Sequence, residues 1–382
     1  MNFDLFDAFD MLGYGFLVFV LTAAIIGAVV LIAWMIGRKK APSLRRKVIA
    51  MCVAVVLLVT ALGIHHTVWV SELSRRPYMW DDMQNYRETH YFWRQFHPFG
   101  HNTRTITADF EPDMVITEDW PRLDGSTALL PVYSAIAETI YLFYSLDDIP
   151  VRGGDYIQMS TTRGAFENLT HGHTDIIFTL QPSQEQVEFA RRHGVEFIKT
   201  PIAREAFVFF VHENNLVECL TIEQIRQIYS GDITNWRDVG GHNRQIAAYQ
   251  RESNSGSQTA MEEVVMAGLT MIEPESHLRA MGMGMMLRSV AEYTNHERAL
   301  GYSFRFYATV MNPQEGLRLL AIDGIEPTPE NIADSSYPLT GNVYAITTTR
   351  GLENPNTQKV LDWLVSPQGQ RLIELAGYVG LG

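Results

Sequence analysis

The 382-residue sequence predicts an α/β protein carried behind two membrane-crossing helices. Two observations set that class. Two apolar runs, Met11–Gly37 and Val48–Ser71, hold no charged side chain. Each exceeds the roughly 20 residues that a helix needs to cross a bilayer. From about residue 121 onward, short β-type runs alternate with helical patterns. That spacing is the signature of an α/β architecture, here expected with mainly parallel sheets.

The loop between the apolar runs, "RKKAPSLRRK" at 38–47, carries six basic residues and no acidic one. The positive-inside rule makes this loop cytoplasmic, which puts Asp4, Asp7 and Asp10 outside, together with everything after about residue 71. A cleaved signal peptide fits poorly, because its apolar core is shorter and no small-x-small site precedes a mature start. Cys52 opens the second apolar run rather than following one, which argues against a lipoprotein cysteine. The expectation is a two-pass protein of the cell membrane with its C-terminal domain on the extracytoplasmic side. Cys219 is the only other cysteine, so no disulfide can form within the outer part. The net charge is −13; the inner loop carries +6 and the first ten residues −3, leaving −16 for residues 48–382. An acidic exterior disfavours a nucleic-acid partner. It also requires any anion site to work through local hydrogen bonds.

Residues 72–114 are rich in aromatics, His and Arg and read as a stalk or lead-in. "LDGSTALLPVYSAIAETIYLFY" then reads as a Gly-Ser-Thr turn followed by a helix, apolar at Val132, Ile136, Ile140 and Phe143. In "YIQMSTTRGAFENLTHGHTDIIFTL" a Ser-Thr-Thr turn leads to a short helix at 165–169, then a buried strand at 175–180. A further buried strand is expected at 206–211. "LTIEQIRQIYSGDITNW" opens with the capping-box spacing Thr221-x-x-Gln224 and stops at Gly231. "RALGYSFRFYA" and "YPLTGNVYAITT" read as strands, and "NPNTQKVLDWLVSPQGQRLIELAGYV" as two closing helices.

Three Ser/Thr-rich turns stand immediately before helices: Gly125-Ser126-Thr127, Ser160-Thr161-Thr162 and Ser255-Gly256-Ser257. A helix N-terminus presents unpaired N–H groups and a partial positive charge, and hydroxyls add donors there. The result is a ready anion site. A single such turn is more often an ordinary cap; three of them plus Arg251 shift the balance. An arginine offers two parallel N–H donors to an oxyanion, or else forms an ion pair, here with Glu252 or Glu262. Asp175 leads the apolar "IIF" and so sits at a buried strand end. There it would accept the proton that phosphate keeps at neutral pH and sulfate lacks, or it would simply pair with an arginine. No G-x-S-x-G, H-E-x-x-H or Walker loop is present. His171 and His173 read as turn residues, and the Met-rich stretch 279–290 as core packing. No catalytic residue, metal site or cofactor is expected.

"GSTALLPVY", "LTIEQIRQIYSGDITNWRDVGG", Arg251-x-x-x-Ser255-Gly256-Ser257 and the closing "SPQGQRLIELAGYVGL" resemble the phosphate-binding proteins of phosphate ABC transporters. These are members of the periplasmic-binding-protein superfamily, and the similarity covers roughly residues 123–380. The resemblance implies a two-lobed type II fold, with lobe one at 115–203 and 316–382 and lobe two at 204–315. It implies phosphate ligands at Thr127, the backbone of Ala128, Thr162, Asp175 as acceptor, Arg251, Ser255, Gly256 and Ser257. Closure on phosphate would serve an ABC permease in the same membrane. Alternatives are an anchored oxyanion sensor signalling through its helices and, more distantly, a phosphate-ester hydrolase. Two departures stand out: Arg163 replaces the usual Gly after the second turn, and Ser253 stands where some members carry an acid that orders the arginine.

Overall fold

In β1 (Leu123–Gly125) and β2 (Ile176–Thr179) every residue is buried, as strands covered on both faces require. They pair in parallel, with Gly125 opposite Phe178. This is a computed structural model, and it describes residues 91–382 except 93, 100–102, 143–155, 276–277, 281 and 292–296. The spans expected at 11–37 and 48–71 lie outside the described residues. Among the described residues no helix is long and apolar enough to cross a membrane.

Among the described residues, α1 (Leu130–Ile140) and α2 (Thr161–His171) lie between β1 and β2. The second is longer than the 165–169 segment expected, because it starts directly on the Ser-Thr-Thr turn and ends on left-handed Gly172. α3 (Gln184–Arg192) opens with a full capping box between Ser183 and Gln186. β3 (Ile198–His212) follows; its 15 residues extend well beyond the 206–211 strand expected. The chain continues through β4 (Cys219–Leu220), α4 (Ile222–Ser230), β5 (Ala247–Ala248), β6 (Gln250–Arg251) and α5 (Gly256–Ala260). Next come β7 (Arg279–Ala280), α6 (Met283–Ala291), β8 (Ala299–Phe304), β9 (Leu317–Leu319) and β10 (Ala321–Ile322). α7 (Pro329–Ala333), β11 (Thr340–Thr347), α8 (Thr357–Leu364) and α9 (Pro367–Leu375) close the chain. α4 carries the expected capping box between Thr221 and Gln224 and ends on Gly231 at φ 91°.

β3 organises the molecule by serving two sheets. Residues 198–206 pair antiparallel with β11, which also pairs with β2. Residues 207–212 pair antiparallel with β8 and β9. The change of partner at Ala206–Phe207 marks a crossing from one lobe to the other, and Phe304, the last residue of β8, pairs with Phe207 there. The sheets are therefore mixed, not mainly parallel. A chain that leaves one lobe, builds a second and returns brings its returning strand, β11, back against its outgoing one. β9 and β10 also depart from the expected boundary at 316, since β9 pairs with the far half of β3 and β10 with β4.

The described part of the lead-in packs on the domain instead of standing off it. Phe92 and Phe96 are buried in the core, and Phe92 meets Tyr307 edge to face. Asp109 pairs with Arg371, and Asp113 accepts the indole N–H of Trp363 at 2.9 Å.

Candidate functional site

The three Ser/Thr turns sit at the same structural position, a strand or extended segment running into a helix, and they converge. The first starts at the end of β1, where Ser126 N–H donates to the Phe178 carbonyl at 2.9 Å. Thr127 and Ala128 begin the helical turn that continues as α1 and are both buried. Their N–H groups stand in the first turn, where no intrahelical acceptor exists. The Ser126 hydroxyl is buried and has no hydrogen-bond partner among the described residues. From behind, the Ala128 carbonyl accepts the Tyr378 hydroxyl, and Tyr378 stacks on Phe306 at 4.1 Å.

The second turn is strained. Thr161 has φ 62°, in the left-handed region, where a β-branched residue is an outlier. Such strain persists only where the surroundings over-determine the backbone, and it concentrates at ligand clamps. The third turn faces it: a Cβ added to Gly256 would lie 2.9 Å from the Thr162 Oγ1. Thr162 and the Ser255-Gly256-Ser257 turn, 93 residues apart at their nearest, therefore touch across the two lobes. Beside them Asn254, also left-handed at φ 62°, bridges the lobes. Its Oδ1 accepts the Ser183 hydroxyl at 2.9 Å, and its Nδ2 donates to Glu185 at 2.8 Å.

Within the third turn the serines divide their roles. Ser255 is a helix cap: its Oγ accepts the Gln258 N–H and donates to the Glu252 carbonyl. The Ser257 hydroxyl is 1% exposed with its residue and has no hydrogen-bond partner among the described residues. Arg251 is buried, its backbone N–H donating to Gln258 Oε1 and to the Tyr302 hydroxyl. Its guanidinium donates to both Glu252 oxygens, at 3.0 and 2.5 Å. Glu252, the residue before Ser253, thus orders the arginine. Burying a guanidinium is tolerable only with such a partner. Arg163 reaches one turn along its own helix to Glu167 at 3.1 Å.

Asp175 is not brought to these turns. Its carboxylate accepts the Arg122 backbone N–H at 2.7 Å and is bound by two guanidinium nitrogens of Arg122, at 2.7 and 3.1 Å. It stands before β2, at the end where β1 and β2 begin. The turns lie at the opposite end, some three residues or about 10 Å away at ~3.3 Å per residue. The carboxylate adjoining the turns is Asp124, wholly buried and pushed up to about 6 by that burial. Sequence reasoning named Ser126 only as part of its turn, not among the individual ligands, and it missed Asp124. The available signal was its place immediately before Gly125-Ser126-Thr127. His171, His173 and His193 lie close together, but no metal-holding group of three occurs among the described residues.

Two α/β lobes sharing a long crossing strand, with donor-rich turns meeting between them, define a two-lobed binding protein. The chain belongs to the PBP superfamily: the family model for the PBP superfamily domain matches residues 121–368. Among curated relatives, the phosphate-binding protein PstS of Staphylococcus saprophyticus is 27% identical over 68% of this chain and 79% of its own length. The PstS of Borreliella burgdorferi is 26% identical over 48% of this chain and 66% of its own. Among solved structures, a substrate-binding protein of phosphate ABC transporter type from Clostridium perfringens, crystallised with phosphate, matches with a TM-score of 0.50. It is 23% identical, and the match covers 69% of this chain and 99% of the other. An ABC-type phosphate transport receptor from Vibrio cholerae also has a TM-score of 0.50, at 22% identity over 68% of this chain and 99% of its own. These structural likenesses establish the shared type II fold.

Proposed function

We propose that this chain is a solute-binding protein that takes inorganic phosphate between its lobes for ABC-type import. The names of its relatives point to this ligand. The observation that carries the reading is the meeting of Thr162 with the Gly256 turn beside buried Arg251, with the Ser126 and Ser257 hydroxyls left to be satisfied. In this reading Ser126, Thr127 and the backbone of Ala128 bind from one turn, Thr162 from the second, and Arg251, Gly256 and Ser257 from the other lobe. Ser255 caps the helix that presents them. Arg251 supplies charge and fork geometry, while neutral donors supply the remaining bonds. Binding requires no bond to break and no cofactor. Donors from both lobes favour the closed form over the open one, so that ligand shifts the hinge equilibrium by its differential affinity.

We further propose that the charge-free runs at 11–37 and 48–71 anchor the domain on the outer side of the membrane that holds the permease. The test is calorimetric titration of the full chain, kept in detergent for those runs, with phosphate and with sulfate. A single-site isotherm with phosphate is expected. No heat of binding at about millimolar phosphate, a Kd weaker than which corresponds to ~4 kcal/mol, would overturn the reading.

A further inference from the structure

Asp124 is a carboxylate with 0% exposure that takes part in no ion pair among the described residues. Burying such a group without a cation is costly unless hydrogen bonds replace water. Its bonds are specific. Oδ1 accepts the N–H of Gly125 at 2.7 Å and the N–H of Ser160 at 2.8 Å. Oδ2 accepts Asn168 Nδ2 at 2.9 Å, and the same Nδ2 reaches the Ser160 Oγ at 3.1 Å. The donors thus come from the first anion turn, from the residue that opens the second, and from two turns further along α2. Ser160 directly precedes Thr161, the residue held at left-handed φ.

We infer that Asp124, together with Asn168, is a positioning residue that fixes the first and second turns against each other, so that their donors point at one ligand. The inference rests on the phosphate reading and deepens it. An amide at 124 could accept the two backbone N–H groups through its oxygen, but its NH₂ would then face the NH₂ of Asn168. Only an acceptor on both sides satisfies all three donors. At about pH 7.5 the group is ionised, since burial brings it to about 6. Asp124 also explains how a β-branched residue can be kept strained beside it: the anchoring bond falls on the preceding residue.

The polarity argument gives its own test. Asp124→Asn should lower phosphate affinity by about tenfold or more in full-chain calorimetry, as loss of a buried charge-assisted bond does. Asn168→Asp alone should also weaken binding, because two carboxylates would face each other. The double variant Asp124→Asn/Asn168→Asp reverses donor and acceptor across the contact and should return affinity to within about threefold of wild type. Wild-type chain that fails to bind phosphate removes the functional reading, and this inference with it. Wild-type binding with unchanged affinity in Asp124→Asn overturns the inference alone. So does a double variant that melts cooperatively but stays as weak as the single one. Should Asp124→Asn fail to fold, the double variant decides: binding near wild type supports the inference, and weak binding by a folded protein overturns it.

Discussion

Glu205 lies where the two lobes meet, and its titration should be readable as stability. It precedes the change of partner in β3, is 5% exposed, and its Oε1 accepts the Ala206 N–H at 2.8 Å. It also accepts from the backbone of Phe306, just past β8, with Arg305 close by. One carboxylate therefore ties the crossing strand β3 to the segment that follows β8. Burial pushes it from 4.5 up to about 7. Each unit is worth ~1.36 kcal/mol, so the ionised form is disfavoured by about 3 kcal/mol. The folded value is raised, so the stabilising contribution is fully present below the unfolded value, near 4.5, and is lost as pH rises through about 7. Glu205→Gln keeps an acceptor for Ala206 but cannot ionise. The variant should melt higher than wild type at about pH 8, with the advantage disappearing toward about pH 5. For a domain of this size 1 kcal/mol corresponds to ~2–4 °C, so the gap at about pH 8 should reach several degrees. Asp124 is also raised, to about 6, and contributes to both proteins alike. The difference between wild type and variant isolates Glu205. Thermal melts of the ligand-free full chain at several pH values supply the measurement. Parallel Tm–pH curves for the two proteins would refute the assignment.

Three further outcomes follow from the geometry. Gly256→Ala should leave the ligand-free melt unchanged or slightly raised, because Ala is the better helix former by ~1 kcal/mol. Its Cβ would nevertheless stand 2.9 Å from Thr162 Oγ1 and oppose closure, so phosphate affinity should fall about tenfold; wild-type affinity in a titration would contradict the cross-lobe contact. Asn254→Gly keeps the left-handed backbone that glycine adopts freely and deletes the two side-chain bonds to Ser183 and Glu185. At about 0.5–1.5 kcal/mol per bond, the two together give about 1–3 kcal/mol, so affinity should drop roughly five- to 150-fold through a faster off-rate, which stopped-flow release of phosphate measures. Asp175→Asn should lower the Tm by loosening its pair with Arg122, worth about 2 kcal/mol, while leaving the preference between phosphate and sulfate unchanged. A switch in that preference on competition would place the residue in the site after all.

What a single sequence could reveal here depends on whether the controlling interaction is local. The capping box at Thr221 and Gln224, the stop at Gly231 and the three Ser/Thr turns are local, and each could be read from residue type and spacing alone. The choice between Asp124 and Asp175 is not local. Both are aspartates at the ends of short buried strands, and both strands run the same way. What separates them is which end of the strand each occupies, because in parallel strands only the C-terminal ends open onto the turns that begin helices. Asp124 sits within that end and Asp175 precedes the other. A carboxylate at the entry end finds the Arg122 backbone and guanidinium, whereas one at the exit end finds the N–H groups of two loops. The division of labour in the third turn is equally non-local: Ser255 caps by contacts three residues away, while the buried Ser257 hydroxyl acquires meaning only when the opposite lobe arrives. The mixed sheet has the same origin, since the partner of β3's first half lies more than 130 residues downstream, in β11. The sequence therefore carried each half of the clamp as a local motif. The rigidity between the halves comes from contacts such as Asp124–Ser160 and Thr162–Gly256, which exist only in the folded chain.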